Sequence, residues 1–562
     1  MTLHDSAYWR AQAAALAPEG RAYIDGAYCD AADGATFAAH SPIDGRKLAD
    51  VAACGAADVD RAVAAARRAF EAGVWSGLAP RERKNRLLRL AALITEHQDE
   101  LALLETLDMG KPIRDALAFD LPETARCYAW YGEAIDKRYD EIAPTGADAL
   151  ATITREPLGV VAAVVPWNYP LMMAAWKVAP ALAVGNSVIL KPAEQASLSA
   201  LRLAALAEQA GIPPGVFSVV PGLGAQAGQA LGLHPDVDCI AFTGSTATGK
   251  RFMTYSGQSN LKRVWLECGG KSPHIVFADC PDLDRAAQVA ALAIFSNQGE
   301  VCIAGSRLYV QHGIYDAFME KVAAFAATLR PGNPLDPDSA LGAMVDERQT
   351  QAVMARIAAG AQEGARLRLG GRQVLADSGG YYIEPTIFDC PGQDNSLVRE
   401  EIFGPVLAAQ GFADEDEAVA LANDSIYGLG AGLWTADLGR AHRLSRRLRA
   451  GLVWVNCYAD GDITVPFGGV KQSGFGRDKS LHAMTSTATS RPPGSACAEN
   501  GAGPLRGRLS GAPMRALRGP PRSDQGYRPR TWRACRMRVH ATMKAAVRRV
   551  TLCSLATCDT AL

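Results

Sequence analysis

The stretch Val160-Val-Ala-Ala-Val-Val-Pro-Trp-Asn168 joins an uninterrupted apolar run, in which four of six residues are valine, to a proline and an asparagine. A short run that is apolar at every position predicts a strand buried on both faces of a parallel sheet. Helix-compatible segments separate it from four similar runs, at residues 187–190, 217–220, 239–242 and 263–266. This alternation predicts a doubly wound α/β domain of the nucleotide-binding type.

Polar or glycine-containing segments follow all five predicted strands. They are Pro166-Trp167-Asn168, Lys191-Pro-Ala-Glu194, Pro221-Gly222, Thr243-Gly244-Ser245 and Glu267. Open α/β sheets bind ligands outside the carboxyl ends of their strands, so we expect these segments to converge on one rim. Five such segments predict a binding site rather than a coincidence.

A second alternating region follows and predicts a second α/β domain. Its strand-like runs lie at residues 274–277, 307–310, 406–410 and 452–455, with helices such as 315–329 between them. The first 120 residues are predicted to be mostly helical, and 81–107 is their longest periodic stretch. Residues 149–154 alternate in polarity and predict a strand outside the main sheets.

The composition limits the cellular locations and the binding partners that we expect for this protein. The 562 residues contain no run of about 18 apolar residues, and the N-terminus does not have the pattern of a secretory signal. The thirteen cysteines follow neither a disulfide nor a zinc spacing, so we expect free thiols in a reducing cytoplasm and no metal site. From Thr485 onward there are 14 Lys and Arg against 3 Asp and Glu. That basic stretch predicts a disordered tail; a nucleic-acid arm is the alternative, but aromatic residues do not interleave its charges.

Three residues are candidates for chemistry. A lone cysteine is usually a small core residue, but Cys302 follows the polar segment Asn297-Gln-Gly-Glu-Val, which favours a loop that presents a nucleophilic thiol. Glu267 ends an apolar strand, where burial would raise its pKa toward the range of a general base. The amide of Asn168 could donate to an oxyanion, or it could serve only a turn between two prolines.

Two further segments are candidates for cofactor binding. Phe242-Thr-Gly-Ser-Thr-Ala-Thr-Gly249 joins a strand to a helix, whose first N–H groups can bind a phosphate, although the segment is not the usual GxGxxG pattern. Lys191 and Glu194 could hydrogen-bond the hydroxyls of an adenosine ribose. They could equally form a surface ion pair.

Together these segments resemble the aldehyde dehydrogenase superfamily over roughly residues 8–484. The seven matching motifs, in the order of the family, are Pro166-Trp-Asn168, Lys191-Pro-Ala-Glu194, Phe242-Thr-Gly-Ser245, Leu266-Glu-Cys-Gly-Gly-Lys271, Gln298-Gly-Glu-Val-Cys302, Glu401-Ile-Phe403 and Pro466-Phe-Gly-Gly469. The chain departs from the usual Glu-Leu-Gly-Gly at Cys268, where one apolar side chain replaces another.

The resemblance implies an α/β fold with a Rossmann-type cofactor domain, an α/β catalytic domain and a small oligomerisation element. The cofactor domain would span residues 1–268, with an oligomerisation hairpin inserted at about 139–158. The catalytic domain would span 269–456, and a return segment with a substrate loop would span 457–484.

The resemblance also implies a reaction and its residues. Cys302 would attack an aldehyde and carry a thioester, Asn168 and the Cys302 N–H would hold the oxyanion, and Glu267 would activate water. The cofactor would be NAD, with NADP as the second possibility, because the Glu194 carboxylate repels a 2′-phosphate. Its contacts would be Pro166, Trp167, Lys191, Glu194, Gly224, Thr243, Gly244, Ser245, Gly249, Glu401 and Phe403.

Within the superfamily the chain most resembles the γ-glutamyl-γ-aminobutyraldehyde dehydrogenases of bacterial putrescine catabolism. The supporting stretches are Ala7-Tyr-Trp9, Leu103-Leu-Glu-Thr-Leu-Asp108, Phe277-Ala-Asp-Cys-Pro-Asp-Leu283 and Asp460-Gly-Asp-Ile-Thr-Val-Pro466. The resemblance implies an aminoaldehyde substrate.

The substrate residues follow from the same resemblance. Tyr169 and Trp176 would line the substrate tunnel rather than form a core stripe, and Asp460 and Asp462 would attract an ammonium group. Three alternatives stay open: a broad-specificity aldehyde dehydrogenase, an esterase that uses the same nucleophile, and a structural or binding homologue without activity.

The resemblance stops after Met484. Family members continue with a segment like Asp-Lys-Tyr-Ser-Asp-Phe-Lys, and Thr485-Ser-Thr-Ala-Thr-Ser490 is what that segment becomes when it is read one base out of frame. We therefore interpret residues 485–562 as an aberrant, disordered tail. In the family the lost strand helps to assemble homodimers or homotetramers, so we expect an unpaired sheet edge and weakened assembly. We expect neither nucleic-acid nor membrane partners.

Overall fold

The computed structural model describes residues 4–145 and 150–491. These residues form 21 strands and 17 α-helices. In chain order the strands are β1 (Ala22–Ile24), β2 (Ala27–Cys29), β3 (Thr36–His40), β4 (Lys47–Ala52), β5 (Glu141–Ala143), β6 (Ala151–Pro157), β7 (Val160–Val164), β8 (Ser187–Lys191), β9 (Phe217–Val219), β10 (Cys239–Thr243), β11 (Arg263–Glu267), β12 (Pro273–Val276), β13 (Arg307–Gln311), β14 (Arg366–Leu369), β15 (Gln373–Val374), β16 (Tyr382–Ile383), β17 (Thr386–Asp389), β18 (Val406–Phe412), β19 (Gly430–Trp434), β20 (Leu452–Val455) and β21 (Ala488–Arg491).

The helices mostly connect these strands. In chain order they are α1 (Ser6–Ala15), α2 (Ala56–Glu71), α3 (Pro80–Glu96), α4 (Gln98–Met109), α5 (Ile113–Asp115), α6 (Leu121–Ala134), α7 (Pro170–Val184), α8 (Leu198–Gln209), α9 (Gln229–Leu233), α10 (Thr246–Gln258), α11 (Leu283–Phe295), α12 (Tyr315–Ala326), α13 (Glu347–Gln362), α14 (Ser396–Arg399), α15 (Glu415–Asn423), α16 (Leu438–Arg447) and α17 (Ser480–Ser486). None of them is both long and apolar enough to cross a bilayer.

The first sheet contains all five strands predicted from residues 160–267. Its order is β11-β10-β7-β8-β9-β1-β2, and the five predicted strands are parallel neighbours. Every residue of β7, β8, β9 and β10 is buried, because helices cover both faces. The strand order reverses between β7 and β10, so the polar segments after these two strands lie at the switch point where such sheets bind ligands. The predicted α/β fold class is confirmed.

The prediction for the first 120 residues was incomplete. Strands β1 to β4 lie within a region predicted to be mostly helical, and β1 extends the first sheet by pairing Tyr23 with Val219 of β9. Strands β1 and β2 have three residues each and are too short to show a period in the sequence. The predicted helix at 81–107 is two helices, α3 and α4, which meet at His97.

The second sheet has the order β14-β17-β18-β13-β12-β19-β20. It contains the four strands predicted between residues 273 and 456. Its pairs are parallel except for β14 with β17 at one edge. This second α/β layer carries the loop that contains Cys302, between α11 and β13.

A third sheet corrects the prediction for the end of the chain. Strand β21 pairs antiparallel with β6, which also pairs with β5, so ordered structure continues beyond Met484 and the edge of β6 is not left unpaired. Strand pairing uses main-chain groups, and Thr, Ala and Ser side chains are compatible with it. The strand can therefore form even where its side chains differ from those of related proteins. Residues 492–562, which the same prediction covers, lie outside the described residues.

Side chains of the body also hold this end of the chain. The Asn186 amide donates to the Thr487 main-chain oxygen at 2.9 Å, and the Arg263 guanidinium donates to the Ala488 main-chain oxygen at 2.7 Å. Both acceptors are main-chain atoms, so these bonds do not depend on which residues occupy positions 487 and 488.

Candidate active site

A cavity of about 1620 Å³ opens at the switch point of the first sheet and reaches the Cys302 loop. It brings together segments that are more than two hundred residues apart in the chain. Fifteen of the eighteen predicted site residues line it: Pro166, Trp167, Asn168, Tyr169, Trp176, Lys191, Glu194, Gly224, Thr243, Gly244, Ser245, Cys302, Glu401, Phe403 and Asp460.

Gly249, Asp462 and Glu267 do not line the cavity. A Cβ at Gly249 would lie 2.9 Å from the Cys268 sulfur, so this glycine allows α10 to pack closely on the end of β11. The Asp462 carboxylate accepts the Thr464 N–H at 2.9 Å and lies beside an arginine outside the cavity wall. Glu267 is described separately below.

The Cys302 loop contains two residues in an uncommon backbone conformation. Asn297 and Gln298 have φ values of 49° and 56°, in the left-handed region that non-glycine residues rarely occupy. Burial raises the pKa of the Cys302 thiol to about 12, with the Glu401 and Glu267 carboxyls adding to the rise. The protein by itself therefore holds this sulfur as a thiol at neutral pH, and a base is needed to form the thiolate.

Asn168 is buried and fixed by the same loop. Its side-chain nitrogen donates to the Glu300 main-chain oxygen at 2.7 Å, and the Asn297 amide donates to the Asn168 main-chain oxygen at 3.1 Å. A side-chain amide carries two N–H groups, and only one is used in this bond. The second is available to an oxygen in the cavity.

Glu300 is a site residue that the sequence analysis did not single out. Its side chain is fully buried, one oxygen accepts the Val345 N–H at 3.1 Å, and the other has no partner among the described residues. Burial raises its pKa well above the usual range, which favours the protonated form of this carboxyl. The Gln298 side chain accepts the Gly342 N–H and donates to the Ala343 main-chain oxygen. The side chains of Glu300 and Gln298 therefore attach the nucleophile loop to residues 342–345. The position of Glu300 inside the Gln298–Cys302 motif was the feature of the sequence that could have identified it.

Glu267 is buried at the end of β11, and neither carboxylate oxygen has a hydrogen-bond partner among the described residues. The carboxyl faces Gly468, where an added Cβ would lie 2.6 Å from Oε1. Burial raises its pKa well above the usual range, and Asp478 adds to the rise while Lys177 and Arg477 oppose it. In this buried conformation the shift favours the protonated form, and the carboxyl faces Gly468 rather than the cavity. Glu267 can therefore act as a base only after its side chain turns toward the cavity and loses that proton.

A buried ion pair next to Glu267 was also missed from the sequence. Lys177 Nζ lies 2.6 Å from Asp478 Oδ2, and both side chains are buried. The two residues are 301 positions apart, so no local pattern connects them. Lys177 is nevertheless the only charged residue in the apolar helix α7. A single charge on such a helix indicates a buried partner and could have been noticed in the sequence.

The cofactor rim has the donors and acceptors that a dinucleotide needs. Ser245 caps the N-terminus of α10, a Cβ at Gly224 would meet no atom within 4 Å, and the Thr243 hydroxyl is buried without a partner among the described residues. Unpaired N–H groups at this end of α10 suit a pyrophosphate. Lys191 Nζ lies 3.4 Å from Glu194 Oε2, so the two residues do form an ion pair, but the lysine is buried and both side chains line the cavity.

The second half of the rim is formed by Glu401 and Phe403. Glu401 Oε1 accepts the Gly270 N–H at 2.9 Å, and burial raises the pKa of this carboxyl to about 7. Phe403 adopts a left-handed φ of 55°, its carbonyl accepts from the Gln349 amide at 2.8 Å, and its ring meets Trp167 edge-on at 5.3 Å. Gln349, which also lines the cavity, was not predicted.

The other branch of the cavity has aromatic walls. Trp176 packs against Phe467 with ring centroids 4.9 Å apart, and the ammonium of the buried Lys111 lies 4.0 Å from the centroid of the Tyr169 ring. Both predicted aromatics line the cavity, as does Asp460, and both also pack against the main hydrophobic core. Such walls suit a substrate with an apolar middle section.

Comparison with known proteins agrees with this geometry. The sequence profile of the Aldehyde dehydrogenase family matches residues 28–491. The chain is 54% identical to the NADP/NAD-dependent aldehyde dehydrogenase PuuC of Escherichia coli (strain K12) over 484 residues, which are 86% of this chain and 97% of that protein.

Two solved structures have the same fold. One is the crystal structure of a γ-glutamyl-γ-aminobutyraldehyde dehydrogenase from Burkholderia cenocepacia J2315, with 60% identity, a TM-score of 0.86, and coverage of 87% of this chain and 99% of that chain. The other is an indole-3-acetaldehyde dehydrogenase complexed with NAD+, with 56% identity, a TM-score of 0.87 and the same coverage. This chain belongs to the aldehyde dehydrogenase family.

Proposed function

We propose that the protein oxidises an aldehyde to the carboxylic acid with NAD or NADP, through a thioester on Cys302. The observation that carries the proposal is one cavity in which Cys302 and Asn168 meet a rim built for a dinucleotide. The names of the relatives support it, since PuuC is an NADP/NAD-dependent aldehyde dehydrogenase and one related structure contains NAD+.

The residues that would hold the dinucleotide are those of the rim. The N-terminus of α10 at Ser245 would bind the pyrophosphate, Lys191 and Glu194 the adenosine ribose, and Glu401 the nicotinamide ribose. When bound, the cofactor supplies the acceptor for the hydride that leaves the aldehyde carbon.

Nucleophilic attack is the first task of the protein. The Glu267 carboxylate, once its side chain turns toward the cavity, takes the thiol proton of Cys302, and the thiolate attacks the aldehyde carbon. The free N–H of Asn168 and the main-chain N–H of Cys302 stabilise the oxyanion that forms. Attack makes the carbon tetrahedral, and this is what allows its hydride to leave and a thioester to form.

Hydrolysis of the thioester is the second task. After releasing its proton to solvent, Glu267 takes a second proton from water, and the hydroxide attacks the thioester carbon. The carbon–sulfur bond then breaks, the carboxylic acid leaves, and Cys302 is restored. Glu300 has a positioning role: its bond from the Val345 N–H holds the loop in place.

We propose an aminoaldehyde as the substrate. The acidic Asp460 on the cavity wall and the aromatic section beside it favour a substrate with an ammonium at its far end. A broad-specificity aldehyde dehydrogenase is the second candidate, because a related protein, 56% identical to this chain, is named an indole-3-acetaldehyde dehydrogenase.

Assembly and location complete the proposal. The hairpin of β5 and β6 exposes Ile142 at 71% and Leu150 at 74%, and such apolar exposure favours contact with a second subunit. We propose a homodimer or homotetramer, which light scattering after size-exclusion chromatography would test. A cytoplasmic location fits the nine cysteines of the described residues, which are all free thiols.

One experiment tests the activity. The purified full chain is incubated with NAD and, separately, with γ-aminobutyraldehyde, its γ-glutamyl derivative and a simple aliphatic aldehyde, while the absorbance of the reduced cofactor is followed. We expect reduction only when both aldehyde and dinucleotide are present. Ester hydrolysis without any aldehyde-dependent reduction would instead support the esterase, and no turnover of either kind would support a binding homologue.

A further inference from the structure

The substrate end of the cavity carries charges of both signs. Glu123 of α6 and Asp460 line it, and so does Lys479, just before α17. The acidic residues alone would favour a cation. Lys479 adds a positive charge at this end of the cavity, and that charge would repel a substrate that is purely cationic.

Lys479 has no carboxylate partner within 4.0 Å among the described residues. Its ammonium lies 5.6 Å from the centroid of the Trp176 ring, and its side chain is half-buried. Burial lowers its pKa, while Glu123 and Asp462 oppose that shift. A partly desolvated cation on a cavity wall without an ion partner is a site for an anionic group of a ligand.

The acidic residues nearby are not equivalent. Arg126 lies 3.2 Å from Glu123 and 4.0 Å from Asp462, so both of these carboxylates have a cation beside them. The Asp460 carboxylate has no ion pair among the described residues, although its main-chain oxygen accepts from Trp454. The charges left for a ligand are therefore one anion, Asp460, and one cation, Lys479.

The position of Lys479 identifies which end of the substrate it meets. Trp176 lies six residues after Pro170, about 9 Å along α7 at roughly 1.5 Å per residue, whereas Asn168 precedes the helix. A carboxylate held over Trp176 therefore belongs to the end of the substrate farthest from the aldehyde.

We propose that Lys479 is a specificity-determining residue that binds a distal carboxylate of the substrate, while Asp460 binds an ammonium beside it. The substrate class is then an aldehyde that ends in a zwitterionic α-amino acid group rather than in an ammonium alone. This inference rests on the proposed aldehyde oxidation. It assigns to Lys479 the recognition that would separate γ-glutamylated aminoaldehydes from simple aminoaldehydes.

The test compares two substrates that differ only at the far end. γ-Glutamyl-γ-aminobutyraldehyde carries the zwitterion, and N-acetyl-γ-aminobutyraldehyde keeps the same amide and aldehyde without the charges. We expect the ratio of their kcat/KM values to fall about tenfold or more in Lys479→Met, because a charge-assisted hydrogen bond is lost. Lys479→Arg, which keeps the charge, should hold the ratio within about threefold of the unmodified protein.

A third substrate and a control variant sharpen the result. For cationic γ-aminobutyraldehyde, the kcat/KM relative to the N-acetyl compound should rise in Lys479→Met, because a repulsion is removed. Lys321→Met, which removes an exposed lysine paired with Asp284, should leave both ratios unchanged.

Two outcomes would overturn the inference. If the kcat/KM ratio is unchanged in Lys479→Met, or if kcat/KM falls equally for all three aldehydes, the lysine does not bind a carboxylate of the substrate. If the N-acetyl compound is still oxidised, either of these outcomes leaves the proposed aldehyde oxidation standing. If the unmodified protein reduces the cofactor with none of the aldehydes, both the proposed function and the role of Lys479 are overturned.

Discussion

The side-chain nitrogen of Asn168 donates a 2.7 Å hydrogen bond to the main-chain oxygen of Glu300, two residues before Cys302. The residue proposed as the oxyanion donor is thus bonded to the loop that presents the nucleophile. Both residues are buried, so water does not compete for this bond. The geometry leads to predictions for each part of the site.

The first prediction concerns the oxyanion donor. Asn168→Ala removes one donor and the bond to Glu300, so we expect kcat for aldehyde oxidation to fall by about 10²–10³. Steady-state kinetics measure the loss. Asn260→Ala is the control, since this amide likewise donates to main-chain oxygens, those of Pro235 and Val237, but lies outside the cavity. A fall of less than tenfold would exclude Asn168 as a major donor.

The second prediction concerns the nucleophile. In Cys302→Ala we expect aldehyde-dependent reduction of the cofactor to disappear, because no thioester can form. Mass spectrometry of the unmodified protein, quenched during turnover, should show an acyl adduct on the peptide that contains Cys302. Cys280→Ala, a half-buried thiol outside the cavity, should keep full activity. Substantial turnover by Cys302→Ala would refute the covalent route.

The third prediction concerns cofactor choice. Glu194 lines the rim beside Lys191, and its negative charge should disfavour a 2′-phosphate. We expect the unmodified protein to prefer NAD, and Glu194→Gln to raise the kcat/KM ratio of NADP to NAD by about fivefold or more. Glu320→Gln, an exposed change on α12, should leave that ratio as it is. A preference of the unmodified protein for NADP would contradict the assignment.

The fourth prediction concerns pH and stability. Asp108 is buried at the end of α4, and its carboxylate accepts the Leu198 N–H at 2.9 Å at the start of α8. Burial raises the pKa of Asp108 to about 7, above the value of about 3.9 in an unfolded chain. Between these two values the folded protein holds a proton that the unfolded chain has lost. The free energy of unfolding therefore falls as pH rises through this window and levels off above pH 7.

Asp108→Asn cannot ionise and keeps an oxygen for the Leu198 N–H. We expect its stability relative to the unmodified protein to improve by about 2–3 kcal/mol between pH 5 and pH 8. Urea unfolding at the two pH values measures the difference. Asp316→Asn on the exposed face of α12 is the control and should show no such trend. A difference for Asp108→Asn that does not change with pH would count against a buried, protonated carboxyl.

Much of the nucleotide-binding layer could be predicted from local patterns. Strands such as β7 and β8 have apolar central residues and are buried at every position, and each is followed by a polar segment whose place on the rim follows from parallel pairing. The short strands β1 and β21 could not be predicted in this way. Their pairing depends on a free neighbouring edge, which a local pattern does not contain.

The sequence by itself determined the fold class, the family and fifteen of the residues that line the cavity, because apolar periodicity and short motifs are local properties of a chain. Only the tertiary structure decided that Glu267 turns from the cavity toward Gly468, and that Lys479 lies over Trp176. These relationships join residues about two hundred or more positions apart. Their energies depend on burial and on the direction of side chains, which only packing of the whole chain sets.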